Sequence, residues 1–336
     1  MKKTKQKETL TLLDNQIIDL IYKRLNIIED SKFYGDKKNH PSIDNKNIDD
    51  LFNLIGDFKL DKNKKNSKKV LYLGPEGSYT GDAAIKKFGK ENDFYSINSI
   101  HNIFEEIDKE NAEFAVIPIE NSLNGLVNDT LNAFLKNDLH VIGEVIIDIH
   151  HTFASNTKDT SKIDTIYSKD IAFDQCSMFL EKYNLHDVKH IYVESTTKAA
   201  KLAFENKNSA AICSNVAALN NNLDILFYDI EDNPTNKTRF FVLSKKAQKK
   251  KTNTKYKTSF IIQLPNHAGS LIEFLEKFKE ANINLYKIKS HITKGISNFF
   301  IEFDGHIEDK KVKKIFSLYQ KGTKILGSYK KEVEDI

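Results

Sequence analysis

The stretch KVLYLGPEGSYTGDAAIKKFG, residues 69–89, decides the fold class of the central part of the chain. KVLYLG has the composition of a buried strand, PEGSYT contains the turn residues Gly and Pro, and DAAIKKFG continues as a helix. A buried strand that turns directly into a helix opens a βα unit. The sequence therefore predicts that an α/β sheet begins here.

The same alternation continues to residue 244. FAVIPI (114–119) predicts a strand, ENSLNG a loop, and Leu131–Leu135 lies in a helix. Further strands are predicted in HVIGEVIIDIHHTFA, DTIYS, HIYVES, SAAICS and RFFVLS, and helices in FDQCSMFLEKY and TKAAKLAFE. Alternation of this kind predicts a largely parallel sheet. The segment ends with another apolar strand, RFFVLS (239–244), which is consistent with two lobes joined by crossover connections.

Two lysine-rich runs, LDKNKKNSKK (60–69) and KKAQKKKTNTK (245–255), have the composition of linkers. They divide the chain into segments 1–59, 69–245 and 257–336. Residues 8–29 and 44–58 predict two amphipathic helices in the first segment. The last segment predicts the order βαββαβ, which is the ferredoxin-like arrangement.

Composition excludes several classes of protein. The 336 residues are 40% hydrophobic and 29% charged, which is ordinary for globular domains, and the net charge of +4 does not favour nucleic acid or a membrane surface as a partner. Arg24 and Arg239 are the chain's arginines, so the bidentate Arg contacts of a DNA reader are scarce. No apolar run reaches about 20 residues and the start lacks a signal-peptide core, which predicts a cytoplasmic protein.

Cofactor and metal motifs are also missing. Cys176 and Cys213 lie far apart without ligand spacing, so we expect buried reduced thiols and no metal. Neither GxxxxGK[ST] nor GxGxxG occurs, which disfavours nucleotide binding. We therefore expect chemistry without a cofactor. For His150-His151, in an apolar strand, structural histidines are the favoured interpretation.

Four loops lie where ligands bind in open α/β sheets, beyond the carboxyl ends of strands. The first, residues 74–80, contains Ser78 and could seat a carboxylate or be a tight glycine turn with an N-cap. The second places Glu120, Asn121 and Ser122 directly after a buried strand. There too, turn chemistry is the alternative to a site.

The third loop contains Ser168 and Gln175, and helix capping is the alternative for Ser168. The fourth, residues 236–240, contains Thr238 and Arg239. A planar guanidinium can hold a carboxylate through two hydrogen bonds, although an internal salt bridge is also possible. Together the loops offer proton donation and anion binding, with no nucleophile pair.

Five motifs in these loops resemble the prephenate dehydratase family: GPEGSYT-x-x-AA, IPIENSLNG-LV-DTL, QC-x-x-FL, EST-x-x-AA and IED-x3-N-x-TRFFVL. The match runs from about Lys69 to Ser244, and the last segment resembles the ACT regulatory domain. The resemblance implies a bilobed, type II periplasmic-binding-protein-like catalytic domain. It also implies conversion of prephenate to phenylpyruvate, with loss of carbon dioxide and water, in L-phenylalanine biosynthesis.

The resemblance also implies roles for individual residues. Thr238 matches the catalytic threonine, and Arg239 would neutralise negative charge nearby. Positions implied to bind or line the substrate site are Glu120, Asn121, Ser122, Ser168, Gln175, Ser78, Ser195 and Thr196. The chain departs from the family at Lys169-Asp170-Ile171, where His-Pro-Gln is usual, but the spacing from Ser168 to Gln175 is kept.

The ACT-like segment departs further from its family. Gly269-Ser270-Leu271-Ile272 stands for Gly-Ala-Leu-Val, and Lys289-Ser290-His291-Ile292 stands for Glu-Ser-Arg-Pro and keeps only Ser290. These motifs shape the family's L-phenylalanine site. We therefore expect weak or absent inhibition by L-phenylalanine, with a homodimer or homotetramer preserved.

The first segment resembles the opening of an AroQ-type chorismate mutase, with Arg24 at an active-site position. A third helix and further cationic groups are missing, so a decayed mutase or a docking helix is one interpretation and a bifunctional enzyme is the other. A non-enzymatic alternative, an amino-acid-sensing or solute-binding protein on the same fold, also stays open.

Overall fold

A computed structural model describes residues 67–293 and 296–331. The described residues from Lys68 onward form one compact unit. The predictions for residues 1–59, including Arg24, lie outside the described residues.

The described strands and helices alternate through the first two thirds of this unit. The strands are β1 (Lys69–Leu73), β2 (Asp93–Ile97), β3 (Phe114–Asn121), β4 (Gly125–Leu126), β5 (His140–Asp148), β6 (Thr152–Ser155), β7 (Thr165–Ser168), β8 (Lys189–Tyr192), β9 (Ser209–Cys213), β10 (Asp224–Phe227), β11 (Lys237–Ser244), β12 (Tyr256–Ile262), β13 (Leu285–Thr293), β14 (Ile296–Asp304) and β15 (Thr323–Lys330). The helices are α1 (Tyr79–Phe88), α2 (Ile100–Asp108), α3 (Asn128–Lys136), α4 (Asp170–Asp174), α5 (Ser177–Lys182), α6 (Thr196–Glu205), α7 (Asn215–Asn220), α8 (Ser270–Glu280) and α9 (Lys310–Leu318).

The first lobe is built on a sheet of order β2-β1-β3-β11-β5, with the short β4 paired to β3. Strand β1 is parallel to β2 and β3, whereas β11 is antiparallel to β3 and β5. Helices α2 and α3 cover one face through apolar side chains such as Ile103, Phe104, Leu131 and Phe134. Strand β11 reaches this sheet only after the chain has passed through the second lobe, which confirms the predicted two-lobed α/β arrangement. The predicted largely parallel sheet is wrong, because β11 returns antiparallel between β3 and β5, and β6 is antiparallel to β9 and β10.

The second lobe is built on a sheet of order β10-β6-β9-β7-β8. Part of its core is made of alanines on α6, α7 and β9, including Ala199, Ala203, Ala211 and Ala217. The single helix predicted for FDQCSMFLEKY is wrong: the segment forms α4 and α5. The helix is interrupted because the Gln175 carbonyl accepts a hydrogen bond from the Asp232 amide at 2.7 Å, and the Asp232 carboxylate bonds to the first turn of α5.

The C-terminal domain, residues 256–330, has the sheet order β13-β14-β12-β15, and every neighbouring pair is antiparallel. Helices α8 and α9 pack on one face through aromatic side chains such as Phe260, Phe274, Phe278 and Phe316. The predicted βαββαβ order is confirmed.

The other face of this sheet packs on the first lobe. Ile261, Phe300 and Tyr329 share one apolar core with Phe241 and Leu243 of β11. Strand β15 approaches β5 so closely that a side chain at Gly327 would collide with the Val141 carbonyl. The predicted boundary at 245–257 falls on the connection between β11 and β12, yet the parts on either side of it are joined through a common core.

Among residues 67–293 and 296–331, every helix is too short or too polar to cross a lipid bilayer.

Candidate active site

Two sheet edges face each other between the lobes. In the first lobe the parallel strands β1 and β3 end at one edge, so the loop at residues 74–78 lies near Asn121. In the second lobe β7, β8 and β9 end at the opposing edge. Ser214, after β9, donates a hydrogen bond to the Gly77 carbonyl at 3.3 Å and so joins the edges. Gly77 has φ of +82°, a conformation that a residue with a side chain rarely adopts.

Asn121 and Thr238 lie together at this edge. They are directly opposed in the β3–β11 pair, and Asn121 Nδ2 donates to Thr238 Oγ1 at 2.9 Å. The Asn121 Oδ1 accepts from the amides of Leu123 and Asn124, which fixes the orientation of the side chain. Because the Thr238 oxygen accepts this bond, its own proton is available to a ligand. The structure thus brings together two residues that the sequence predicts for the site.

Asn236 is a third polar side chain beside this pair. Its Oδ1 accepts from Asn121 Nδ2 at 2.8 Å, and the side chain is buried. Its Nδ2 has no hydrogen-bond partner in the described part of the chain. A buried donor without an acceptor costs about 1–3 kcal/mol, which a bound ligand or water would relieve. The sequence analysis quoted Asn236 in a motif but gave it no role; the signal was its place two residues before Thr238.

Arg239 does not face the cleft, which is the space between the two sheet edges described above. The residue is completely buried, and its guanidinium bonds to both Glu302 oxygens at 2.6 Å each and to Glu144 at 2.7 Å. The prediction that Arg239 holds a substrate charge is wrong, and the internal salt bridge is the arrangement observed. The physical reason is the period of a strand: Thr238 and Arg239 are adjacent, so their side chains lie on opposite faces of the sheet.

Glu120 is corrected in the same way. Its side chain is buried on the same face as Arg239, where it pairs with Lys287 of β13 and lies 3.8 Å from the Arg239 guanidinium. Glu120 therefore does not line the cleft. Its neighbour Ser122 is exposed, and the Ser122 Oγ accepts from the Lys237 amide at 2.9 Å, which closes the loop onto β11.

The remaining predicted hydroxyls take part in local structure. Ser78 and Ser195 are the N-caps of α1 and α6, and each accepts a hydrogen bond from the first turn of its helix. Ser168 is completely buried, and its hydroxyl donates to the Ile212 carbonyl at 2.8 Å. Substrate binding by these three residues stays a prediction. Thr196 is the first residue of α6.

Thr197 was missed by the sequence analysis. Its buried Oγ1 has no partner among the described residues, and its methyl lies next to Gly77. The EST-x-x-AA motif gave its location but no signal that distinguished it from Thr196.

Gln175 is oriented by His151, which lies in the connection between β5 of the first lobe and β6 of the second (residues 149–151), here called the hinge. Its Oε1 is 2.9 Å from His151 Nε2, and burial lowers the pKa of His151, so a neutral ring donates this bond. Gln175 Nε2 is then left without a partner in the described part of the chain. Tyr79 also reaches the hinge, because its hydroxyl donates to the His150 carbonyl at 2.5 Å. His150 and His151 lie between β5 and β6 and not within a strand as predicted, and the hydrogen bonds of both rings support the structural role that the sequence favours.

His150, Asp229 and Glu231 place their ligand atoms within 4.8 Å of one another, which would admit a metal ion. Hydrogen bonds already account for this grouping. His150 Nδ1 lies 2.6 Å from one Glu231 oxygen, and the other oxygen accepts from the His151 amide at 2.8 Å. The bond to Glu231 raises the pKa of His150. Glu231 therefore holds both hinge histidines in place, through the ring of one and the backbone amide of the other.

Both cysteines are buried and unpaired, as predicted. Burial raises the pKa of Cys213 to about 12 and raises that of Cys176 further. Neither thiol is a nucleophile at neutral pH.

The residues predicted for an effector site lie on two elements of the C-terminal domain. Gly269 is the N-cap of α8 with φ of +90°, and Ser270, Leu271 and Ile272 form the first turn of that helix. Ser290 is exposed on β13.

Comparison with known proteins identifies the family. A family model described as prephenate dehydratase matches residues 70–248. The prephenate dehydratase of Methanocaldococcus jannaschii is 37% identical over 276 residues, covering 78% of this chain and 98% of that protein. The bifunctional chorismate mutase/prephenate dehydratase of Pseudomonas aeruginosa is 35% identical over 302 residues, covering 88% of this chain and 81% of that protein.

Among solved structures, the prephenate dehydratase of Arthrobacter aurescens in complex with L-Phe superposes with a TM-score of 0.71 at 30% identity. The superposition covers 78% of this chain and 90% of that one. The family model spans more than half of the chain, and it includes the edge that carries Asn121, Asn236 and Thr238. This chain belongs to the prephenate dehydratase family.

Proposed function

We propose that this chain is a carbon–oxygen lyase that converts prephenate to phenylpyruvate, carbon dioxide and water in L-phenylalanine biosynthesis. The observation that carries the proposal is the contact between Asn121 and Thr238 at the edge that faces the second lobe. Family membership supplies the substrate class, and this contact supplies a proton donor where the substrate would lie.

The reaction needs a leaving hydroxyl to be stabilised while the ring becomes aromatic. As the bond between the ring and the departing carboxylate breaks, its electron pair enters the ring and expels the ring hydroxyl, which leaves as water after taking a proton. Asn121 donates into Thr238 Oγ1, so it polarises the hydroxyl and directs its proton towards the cleft. Thr238 then donates a hydrogen bond or proton to the departing oxygen.

The negative charges of prephenate need partners other than Arg239. Helices α1 and α6 begin just after the carboxyl ends of β1 and β8, so we propose that the free N–H groups of their first turns face the cleft, where a helix N-terminus favours a carboxylate. Asn236 Nδ2 and Gln175 Nε2 add neutral donors. We propose that these groups orient the substrate and that Thr197 Oγ1 takes part.

The test is formation of phenylpyruvate from prephenate, followed by its absorbance in alkali. We expect Thr238→Ala to lower kcat by about 10²–10⁴-fold, the usual contribution of a positioned proton donor. Thr235→Ala is the matched control, because Thr235 is exposed in the preceding loop. An unchanged kcat in Thr238→Ala would remove this residue from the mechanism, and no turnover by the wild type would favour the sensing or solute-binding alternative.

We propose that the C-terminal domain is an ACT domain and that the two lobes are of the type II periplasmic-binding-protein-like class. The ferredoxin-like strand order and the insertion of β11 between β3 and β5 support these assignments. L-Phe is the candidate effector, since it is bound in the Arthrobacter aurescens structure. A homodimer or homotetramer remains our expectation, and sedimentation would measure it.

Chorismate mutase activity is a second candidate. The Pseudomonas aeruginosa relative matches 88% of this chain, about 296 residues, whereas residues 67–336 number only 270, so the match extends into the first segment. That segment offers Arg24 but few of the cationic groups that hold chorismate, so we expect little turnover. Chorismate consumption by the wild type and by Arg24→Ala measures it, and equal rates would exclude a role for Arg24.

A further inference from the structure

The β3–β11 pair carries polar residues on both of its faces. Asn121 opposes Thr238 on the face towards the cleft, and Glu120 opposes Arg239 on the face towards the C-terminal domain. Residues directly opposed in an antiparallel pair share a face, and the next pair along lies on the other face. The candidate catalytic pair is therefore backed, one residue away on both strands, by a charged pair.

Each member of the charged pair takes its partner from the C-terminal domain. Arg239 forms a bidentate bond to Glu302 of β14, and Tyr329 of β15 accepts a further bond from it at 3.0 Å. Glu120 pairs with Lys287 of β13. The contacts thus come from three strands of the C-terminal sheet and converge on one register position of the first lobe.

These contacts belong to one buried set, the interdomain charge cluster, which consists of Glu120, Glu144, Arg239, Lys257, Lys287 and Glu302. Lys257 Nζ completes it at 3.1 Å from Glu144. Three positive and three negative side chains balance, and none is more than 8% exposed. Geometry in such a cluster is rigid because each charge lacks water and depends on its protein partners.

We propose that Glu302 and Lys287 are positioning residues for the candidate active site: through Arg239 and Glu120 they set the register of β11 against β3, and hence the placement of the Thr238 hydroxyl. This inference rests on the proposed function. The β3–β11 pairing is irregular between Arg239 and Phe240, directly after the charged pair, so the regular part of the strand pair does not by itself hold the last two paired positions in place. The C-terminal domain thus positions the candidate catalytic pair from the opposite face of the sheet.

The same arrangement gives a route for regulation. Lys287 lies on β13 two and three residues before Lys289 and Ser290, which belong to the candidate effector segment. Glu120 in turn is the neighbour of Asn121. A ligand that displaces this part of β13 would therefore reach the Asn121–Thr238 bond through a single ion pair.

The test uses the full-length protein and steady-state turnover of prephenate. We expect Glu302→Gln and Lys287→Met each to lower kcat at least tenfold while KM changes less than threefold, with the rate expressed per folded protein from circular dichroism. Lys287→Met also covers the case in which Glu302→Gln does not fold. The matched controls are Glu276→Gln and Lys279→Met on the exposed face of α8, with kcat unchanged.

Charge reversal separates positioning from general stability. Glu120→Lys and Lys287→Glu should each reduce kcat, and the double variant should recover at least a third of it. Reduced melting temperatures with wild-type kcat in both Lys287→Met and Lys287→Glu would overturn the inference and leave the proposed function intact. A wild-type chain that does not turn over prephenate would overturn both.

Discussion

The two faces of the β3–β11 pair differ in the kind of polar group that they carry. The cleft face, with Asn121 and Thr238, uses neutral amides and a hydroxyl, whereas the rear face, with Glu120 and Arg239, uses ion pairs that are closed to water. The difference shows that the strand pair uses one face for the candidate site and the other for contact between domains. A face that binds and releases substrate uses neutral polar groups, because their desolvation costs less free energy than that of charges. A face that holds two domains together can use buried charges, because each charge stays paired with an opposite one.

The largest effect is expected from a substitution that disrupts the ion pairs of the rear face. Arg239→Met leaves Glu302 and Glu144 buried without their guanidinium, and removing one member of a buried ion pair destabilises a protein by about 3–5 kcal/mol. Urea unfolding should show this loss. Lys249→Met, at an exposed position, is the control, and Thr238→Ala should lower stability by only about 1 kcal/mol. Equal stability of Arg239→Met and wild type would mean that the rear face is not held by this cluster.

Acid should weaken the rear face selectively. Burial alone would raise the pKa of Glu302, but Arg239, Lys257 and Ser259 lower it to about 2 from an ordinary 4.5. Between pH 2 and pH 4.5 the unfolded chain binds more protons than the folded chain. The contribution of the Glu302 charge to the free energy of unfolding is therefore complete above pH 4.5 and is lost as the pH falls towards 2. The difference in unfolding free energy between wild type and Glu302→Gln should therefore shrink below pH 4.5. A difference that stays constant down to pH 3 would contradict the assignment.

A smaller effect distinguishes structure from binding at Ser168. Its buried hydroxyl bonds to the Ile212 carbonyl, so Ser168→Ala should destabilise the second lobe by about 1 kcal/mol, and KM stays at the wild-type value when this bond is the only role of the hydroxyl. Melting temperature and KM for prephenate, measured on the same preparations, separate the two roles. Ser161→Ala, exposed in the same lobe, serves as the reference. A severalfold rise in KM would support the predicted role of Ser168 in substrate binding.

The smallest expected effect concerns L-phenylalanine. Lys289 and Ile292 stand where the family has Glu and Pro, so titration calorimetry should detect little heat in the wild type. The double variant Lys289→Glu/Ile292→Pro should bind more tightly. Saturable micromolar binding by the wild type would show that the altered motif still forms an effector site.

Much of the candidate site was predictable because it is local. Asn121 follows one strand that the pattern predicts and Thr238 directly precedes another, and the motifs around them identify the family. Arg239 and Glu120 were assigned to the cleft because the motif gives their neighbourhood but not the face to which they point. Asn236, Thr197 and Tyr79 were given no role, because an orphaned donor or a hinge contact is visible only when the surroundings of a side chain are known.

The sequence by itself determined the alternation of strands and helices, the ferredoxin-like order of the last segment and the family, since each depends on residues close together in the chain. Only the tertiary structure decided which charges meet. Arg239 is 63 residues from Glu302 and 95 from Glu144, and Glu120 is separated from Lys287 by 167. Pairings at such separations are selected by the packing of whole sheets against each other, which no local pattern encodes.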